Sequence, residues 1–277
     1  MVPCEGTVIQ GIDFLTCLYN EDNLNRRYSA INTARSALSS VLPIRNGKTF
    51  GKEELVISFM KGVFNLRPPK AKYTNIWDPE KVLDRLKLWG PTSRLPLYQL
   101  SQKTAMLFLL ATGIRGHTLL GAQIDKMQIT ENQISFVIDR SFYKQNRHGW
   151  TPKPVVLKML KENKEMCPCS TLKAYLEKTK PIRNNQNPIF LTTRGEHRPI
   201  SRATLRRWII EVLADAGIDT VHYGSGSTRS AATSKALAEG APLDTILSSG
   251  GWSRESTFQK FYARPIGSNI LTDYVLN

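Results

Sequence analysis

Arg229, Trp252 and Tyr262 lie in order along STRSAATSKALAEGAPLDTILSSGGWSRESTFQKFYARP, residues 227–265. A guanidinium grips a phosphate through paired charge-assisted hydrogen bonds, an indole N–H adds a donor, and a phenol is a nucleophile. Those types in that order suit attack of a tyrosine hydroxyl on a phosphodiester. The pattern places Arg229 on the first turn of a helix over residues 228–239, where free backbone N–H groups also favour an anion. Trp252 follows the Gly250-Gly251 turn, and Tyr262 ends the next short helix.

Two further cations can face such a site. Arg115 follows the apolar run TAMLFLLAT, residues 104–112, which reads as a buried core helix. A guanidinium launched from a rigid helix suits a bidentate phosphate grip, and equally suits capping of that helix's last carbonyls. Lys144 lies in SFYKQNRHGW, between the second and third strands of an expected antiparallel meander built from MQIT, ISFVID and PKPVVL. It either reaches a cleft as a proton donor or belongs to a solvated basic loop with Arg147 and His148.

The elements around these residues are mostly helical. Residues 1–66 form a small helical domain. Its YSAINTARSALSSVL helix carries Tyr28, Ile31, Leu38 and Leu42 on one stripe, and Arg35 on a small polar face that fits a phosphate backbone or plain solvent. In KEELVISFMKGVFNL the spacing puts Leu55, Phe59 and Val63 on one side. Arg67-Pro68-Pro69-Lys70-Ala71-Lys72 ends the helical pattern, because proline stops helix and the residue before it is pushed to extended geometry. A basic linker over 67–74, with Arg67, Lys70 and Lys72 available to DNA, then leads to a second domain over 75–277. In that domain Asp78-Pro79 starts a helix, Ser170 and Ser201 start two more, and Pro242 starts another.

Composition narrows the partners. The chain has 277 residues, 38 Lys+Arg against 23 Asp+Glu, and a net charge of +15, which favours a polyanion. No apolar run approaches the ~20 residues of a membrane span, and the first residues lack the pattern of a secretory signal. Neither GxxxxGK[ST] nor GxGxxG occurs, so no nucleotide cofactor is expected. Cys167 and Cys169, one residue apart, suit packing thiols better than a zinc site.

TGIRGHTL around Arg115, YKQNRHG around Lys144, STRSAATSKALAEG around Arg229 and GGWSRESTFQKFYARP to Tyr262 together resemble the tyrosine recombinases, or phage integrase family. YSAINTARSALSSVL and FMKGVFNLRPPK add a resemblance to the recombinases of DIRS-like retrotransposons. The resemblance runs from about residue 25 to 266. It implies a two-domain DNA clamp: a helical, SAM-like core-binding domain, and a mainly α catalytic domain with a small three-stranded antiparallel sheet. It implies cleavage without metal or cofactor through a 3′-phosphotyrosyl bond to Tyr262. Arg115, Arg229 and Trp252 would hold the phosphate, and Lys144 would protonate the leaving 5′-oxygen. Oligomers on paired DNA sites and a nuclear location are also implied. One position departs: the family carries histidine three residues before the second arginine, and Gly226 stands there. An impaired recombinase and a non-catalytic DNA-binding protein of the same fold are therefore both expected readings.

Overall fold

The structure, a computed structural model, describes residues 6–21, 27–144, 149 and 151–267. The chain divides into two compact units, residues 1–71 and 72–277.

The first unit holds helices α1 (Val8–Asn20), α2 (Tyr28–Val41) and α3 (Glu54–Leu66), with a short 3-10 turn at Phe50–Lys52 before α3. Thr7 and Gln10 close a reciprocal capping box at the start of α1. The core is Leu15, Ile31, Phe50, Val56, Met60 and Val63, with Tyr28, Leu38 and Leu42 packed against it as their spacing predicts. On α3, Val63 is buried and Phe59 packs against the core, whereas Leu55 does not. Val56, Met60 and Val63, at i, i+4 and i+7, face inward, and Leu55 is 63% exposed.

The second unit is arranged around α5 (Leu97–Thr112), which is buried on nearly every side, as an apolar core helix must be. It begins seven residues before the apolar run, because Ser101, Gln102 and Lys103 are buried as well. Around it stand α4 (Pro79–Leu88), α6 (Gly116–Leu119), α7 (Pro168–Thr179), α8 (Arg202–Asp215), α9 (Ser227–Ala238), α10 (Leu243–Gly250) and α11 (Glu255–Phe261). Helices α7, α8, α9 and strand β3 pack directly on α5. The caps read from sequence recur: Asp78 accepts from the Glu80 N–H before Pro79, and Ser201 accepts from the Thr204 N–H. Helix α7 starts earlier than Ser170, because Cys167 caps it and Pro168 takes its first turn.

Strands β1 (Met127–Ile129), β2 (Gln133–Phe136) and β3 (Val155–Lys158) form an antiparallel meander in the order β1-β2-β3. Ile129 pairs with Ile134, and Phe136 with Val155. Ile134, Phe136, Val155 and Leu157 turn one face of the sheet into the core. Cys169 hydrogen-bonds the Leu157 carbonyl from α7, and burial pushes its thiol up to about 11, so Cys167 and Cys169 serve packing. Among the described residues no three His, Cys, Asp or Glu side chains converge to hold a metal, and no helix is long and apolar enough to cross a membrane.

Candidate active site

The end of α5 sets the first arginine. Gly113 adopts a left-handed backbone, φ 62°, and a side chain there would be strained as well as pressed on Thr233. This turn leaves Arg115 half-buried just before α6. Its guanidinium makes no hydrogen bond or ion pair with any described residue, so it does not cap α5. The Gly113 carbonyl is instead taken by Arg229 Nη1, at 2.7 Å.

Arg229 comes from the first turn of α9 and is only 4% exposed. Its Nε and Nη2 are buried without a hydrogen-bond acceptor. The guanidinium carbon lies 3.5 Å from the Trp252 ring centroid and 5.2 Å from that of Tyr262. Burial, then the neighbouring Arg115 charge, pull its pKa below the usual arginine range, and the Tyr262 phenol opposes them. A guanidinium stays protonated in proteins, so folding buries a positive charge here, chiefly at the expense of its hydration. Buried polar groups are normally satisfied. Two arginine donors are thus left available to an anion.

Trp252 is placed by its glycines. A Cβ on Gly250 would fall 1.9 Å from the Trp252 ring, so only glycine lets the indole fold back over the end of α10, and Gly251 turns the chain at φ 68°. The indole meets Phe258 at 5.0 Å and Tyr262 at 4.8 Å between ring centroids. Its N–H is buried and unpaired.

Tyr262 caps α11, its N–H bonded to the Phe258 carbonyl. Two serines that the sequence reading did not single out hold its backbone: Ser230 Oγ donates to the Tyr262 carbonyl at 2.6 Å and Ser234 Oγ at 3.0 Å. Their i, i+4 spacing on the helix that carries Arg229 is the signal that could have found them. Beyond the tyrosine the chain is pinned again. Ile76 N–H donates to the Pro265 carbonyl and Gly267 N–H to the Ile76 carbonyl. Trp77 Nε1 donates to Ser227 Oγ at the start of α9.

Two cavities flank this cluster and share Arg115 and Arg229. One, of about 550 Å³, is also lined by Trp252, Tyr143, Ser248 and Lys153. The other, of about 410 Å³, is lined by Tyr262, Gly226, His117, Arg202 and Arg206. Lys153, just before β3, is the lysine that enters the first cavity, where its Nζ donates to Ser248 Oγ at 3.2 Å. Lys144 is exposed and lines neither cavity. The motif reading missed Lys153 because PKPVVL reads simply as the start of a strand. Gly226 has open space where its side chain would stand, with nothing within 4 Å of a built Cβ. His222, the nearest imidazole in sequence, packs on Tyr73 and Tyr223 and does not fill that space.

The residues expected to touch DNA away from the cluster are placed as follows. Arg35 bonds Asn32, Gly51 and Ser36, tying α2 to the turn before α3. Arg67 donates to the Tyr19 carbonyl and stacks on that ring. Lys70 and Lys72 are exposed. Arg147 lies outside the described residues.

Comparison with known proteins agrees with this arrangement. Residues 95–266, more than half the chain, match the phage integrase family, and the chain belongs to it. Comparison with curated proteins finds no match. Among solved structures, the XerH site-specific recombinase bound to its difH substrate is 14% identical, with a TM-score of 0.59. That similarity covers 92% of this chain and 66% of XerH, so this chain spans about two thirds of the XerH length. The integrase of transposon Tn1549, bound to transposon right-end DNA, is 14% identical with a TM-score of 0.57, over 98% of this chain and 86% of that one. A lambda integrase dimer on a COC' core site is 13% identical with a TM-score of 0.53, over 97% and 84%. These similarities concern the mainly helical fold with its small antiparallel sheet.

Proposed function

We propose that this chain is a site-specific DNA recombinase that cuts and rejoins strands through Tyr262. The observation that carries the proposal is Arg229, buried beside Tyr262 with two unpaired donors. A phosphodiester there would meet Arg115 and Arg229, which line both cavities, and Trp252, which lines the first. In the step, the Tyr262 hydroxyl gives its proton to solvent as its oxygen bonds to phosphorus, the bond to the 5′-oxygen breaks, and that oxygen gains a proton from a lysine of the β2–β3 connection. Lys153 is the donor that the geometry favours, and Lys144 the one that the motif favours. Negative charge gathering on the non-bridging oxygens is met by guanidinium donors already in place, which is where such catalysis gains most. Attack by a 5′-hydroxyl from another strand reverses the step and releases Tyr262.

The XerH, Tn1549 and lambda proteins are described in complex with DNA, and the lambda protein as a dimer. They support duplex DNA as partner and assembly of copies on paired sites. The motifs near Arg35 and Arg67 support a DIRS-like retroelement origin, and with it a nuclear location. A second reading, a DNA-binding protein without chemistry, is favoured by Gly226 alone, since glycine neither donates nor accepts a proton through a side chain. Nicked suicide duplexes drawn from DNA flanking the gene, resolved on denaturing gels, separate the two. A covalent adduct that Tyr262→Phe abolishes is the expected result. Binding with no such adduct on any duplex would leave the second reading.

A further inference from the structure

The cavity that holds Tyr262 contains more positive charge than one phosphate uses. Arg115, Arg202, Arg206 and Arg229 line it, and no Asp or Glu does. Arg202 and Arg206 are one turn apart on the first half of α8, exposed, where their charges repel each other and oppose the helix dipole. The Arg206 guanidinium has no hydrogen bond or ion pair among the described residues. Arg202 rests on an imidazole: its Nε donates to His117 Nδ1 at 3.1 Å, and its Nη2 lies 2.8 Å from Nε2. His117 stacks on Phe142, with ring centroids 5.3 Å apart. Desolvation, then the Arg202 charge, lower the His117 pKa, so this partner is neutral and leaves the guanidinium charge uncompensated. In contrast Arg207, next along the helix, points away from the cavity lining and lies 3.9 Å from Glu211. Arg229, more than nine-tenths buried with its Nε and Nη2 lacking a hydrogen-bond partner, lines the same cavity and independently points to an anion there.

We propose that Arg202 and Arg206, with His117 orienting Arg202, form a second phosphate subsite that takes the phosphodiester next to the one on Arg115 and Arg229. The ligand is the backbone of the same DNA strand. The subsite deepens the recombinase reading and rests on it. It divides the labour in the cavity: Arg115 and Arg229 meet the reacting phosphate, and the α8 pair fixes the strand's register over Tyr262. Phosphate contacts position a strand without reading its sequence, so the subsite serves any target.

The test uses the full chain and a fluorescein-labelled duplex of arbitrary sequence, with binding followed by anisotropy over a series of sodium chloride concentrations. Each lost phosphate contact lowers the slope of log affinity against log salt by about 0.9. The Arg202→Gln/Arg206→Gln double variant is expected to lose about that amount. Arg207→Gln, which removes the same charge one residue away, is expected to keep the wild-type slope. Thermal melting of the free proteins checks the fold, and Arg206→Gln alone replaces the double variant if that one melts early. A double variant with the wild-type slope overturns the subsite, as does an Arg207→Gln variant that loses as much as the double. The recombinase reading fails separately. Loss of the slope without any Tyr262 adduct keeps the subsite and removes the chemistry, whereas an adduct with an unchanged slope removes only the subsite.

Discussion

The two sides of the candidate site are built in opposite ways. On the α9 side, Arg229 is buried, bonded to the Gly113 carbonyl and stacked under Trp252, and the Tyr262 backbone is held by Ser230 and Ser234. On the hairpin side, Lys144 is exposed and Lys153 reaches the cavity from the margin of β3 with one hydroxyl contact. On the proposed reading, the groups that would meet charge are preorganised by core packing, and the lysines that would move a proton stand on the more exposed side. Electrostatic stabilisation needs donors fixed before the reaction, because reorienting them would consume the gain. Proton donation needs only reach and a suitable pKa at the moment of bond breaking.

The contrast makes unequal demands on substitutions. The largest effect is expected on the fixed side: Arg229→Ala should lower adduct formation on a suicide duplex by about a hundredfold to a thousandfold, roughly 3 kcal/mol. A loss no greater than that of an exposed arginine would show that the buried charge is structural. Next comes the hairpin. Removing the proton donor should cost about a hundredfold or more, and a duplex with sulfur in place of the leaving 5′-oxygen should restore the rate, because a thiolate leaves without protonation. Lys153→Ala is expected to show that rescue; if Lys144→Ala shows it instead, the donor comes from the exposed loop.

A smaller effect, in the gaining direction, is expected at the empty position. Gly226→His has room for its side chain and should raise adduct formation several-fold. No gain would mean that the site works without an imidazole there. The smallest effect concerns His117, which folding holds neutral and whose pKa is lowered by desolvation and Arg202. The unfolded chain then binds the proton more readily than the folded one. This contribution to stability is complete above a pH of about 6.5, the ordinary histidine value, and is lost as pH falls through the depressed folded value. Melting temperature followed from neutral to mildly acid pH should fall less steeply in His117→Gln than in the wild type.

What could be read from the sequence follows the same division. Arg229, Trp252 and Tyr262 sit in one continuous stretch whose turns are spelled by Gly250-Gly251 and whose helices have clear starts, so local chemistry was enough to bring them together. The caps at Asp78 and Ser201 and the three-stranded meander were legible for the same reason, since cap and alternation are short-range signals. Lys153 was not, because its place depends on how a long connection folds back onto α10. Nor were Ser230 and Ser234, whose partner is a backbone carbonyl 32 and 28 residues away in sequence. On α3 only Leu55 was misplaced, because Leu55 and Val56 are equally apolar and packing in the core with Ile31 and Phe50 decides between them. The early start of α5 was hidden by Lys103, a polar residue that the core encloses completely.

Ile76 and Trp77 enter the second unit as its first buried residues after Tyr73, and they hold the segment that follows Tyr262 and the first residue of the Arg229 helix. A pull on the chain at residues 72–75 would therefore load those two points together with the core that Tyr73, Ile76 and Trp77 help to form. The stretch that begins this unit thus ties the chain after Tyr262 and the start of the Arg229 helix to one short anchor. Shortening or stiffening it is expected to alter the alignment of Tyr262 and Arg229 without replacing either side chain.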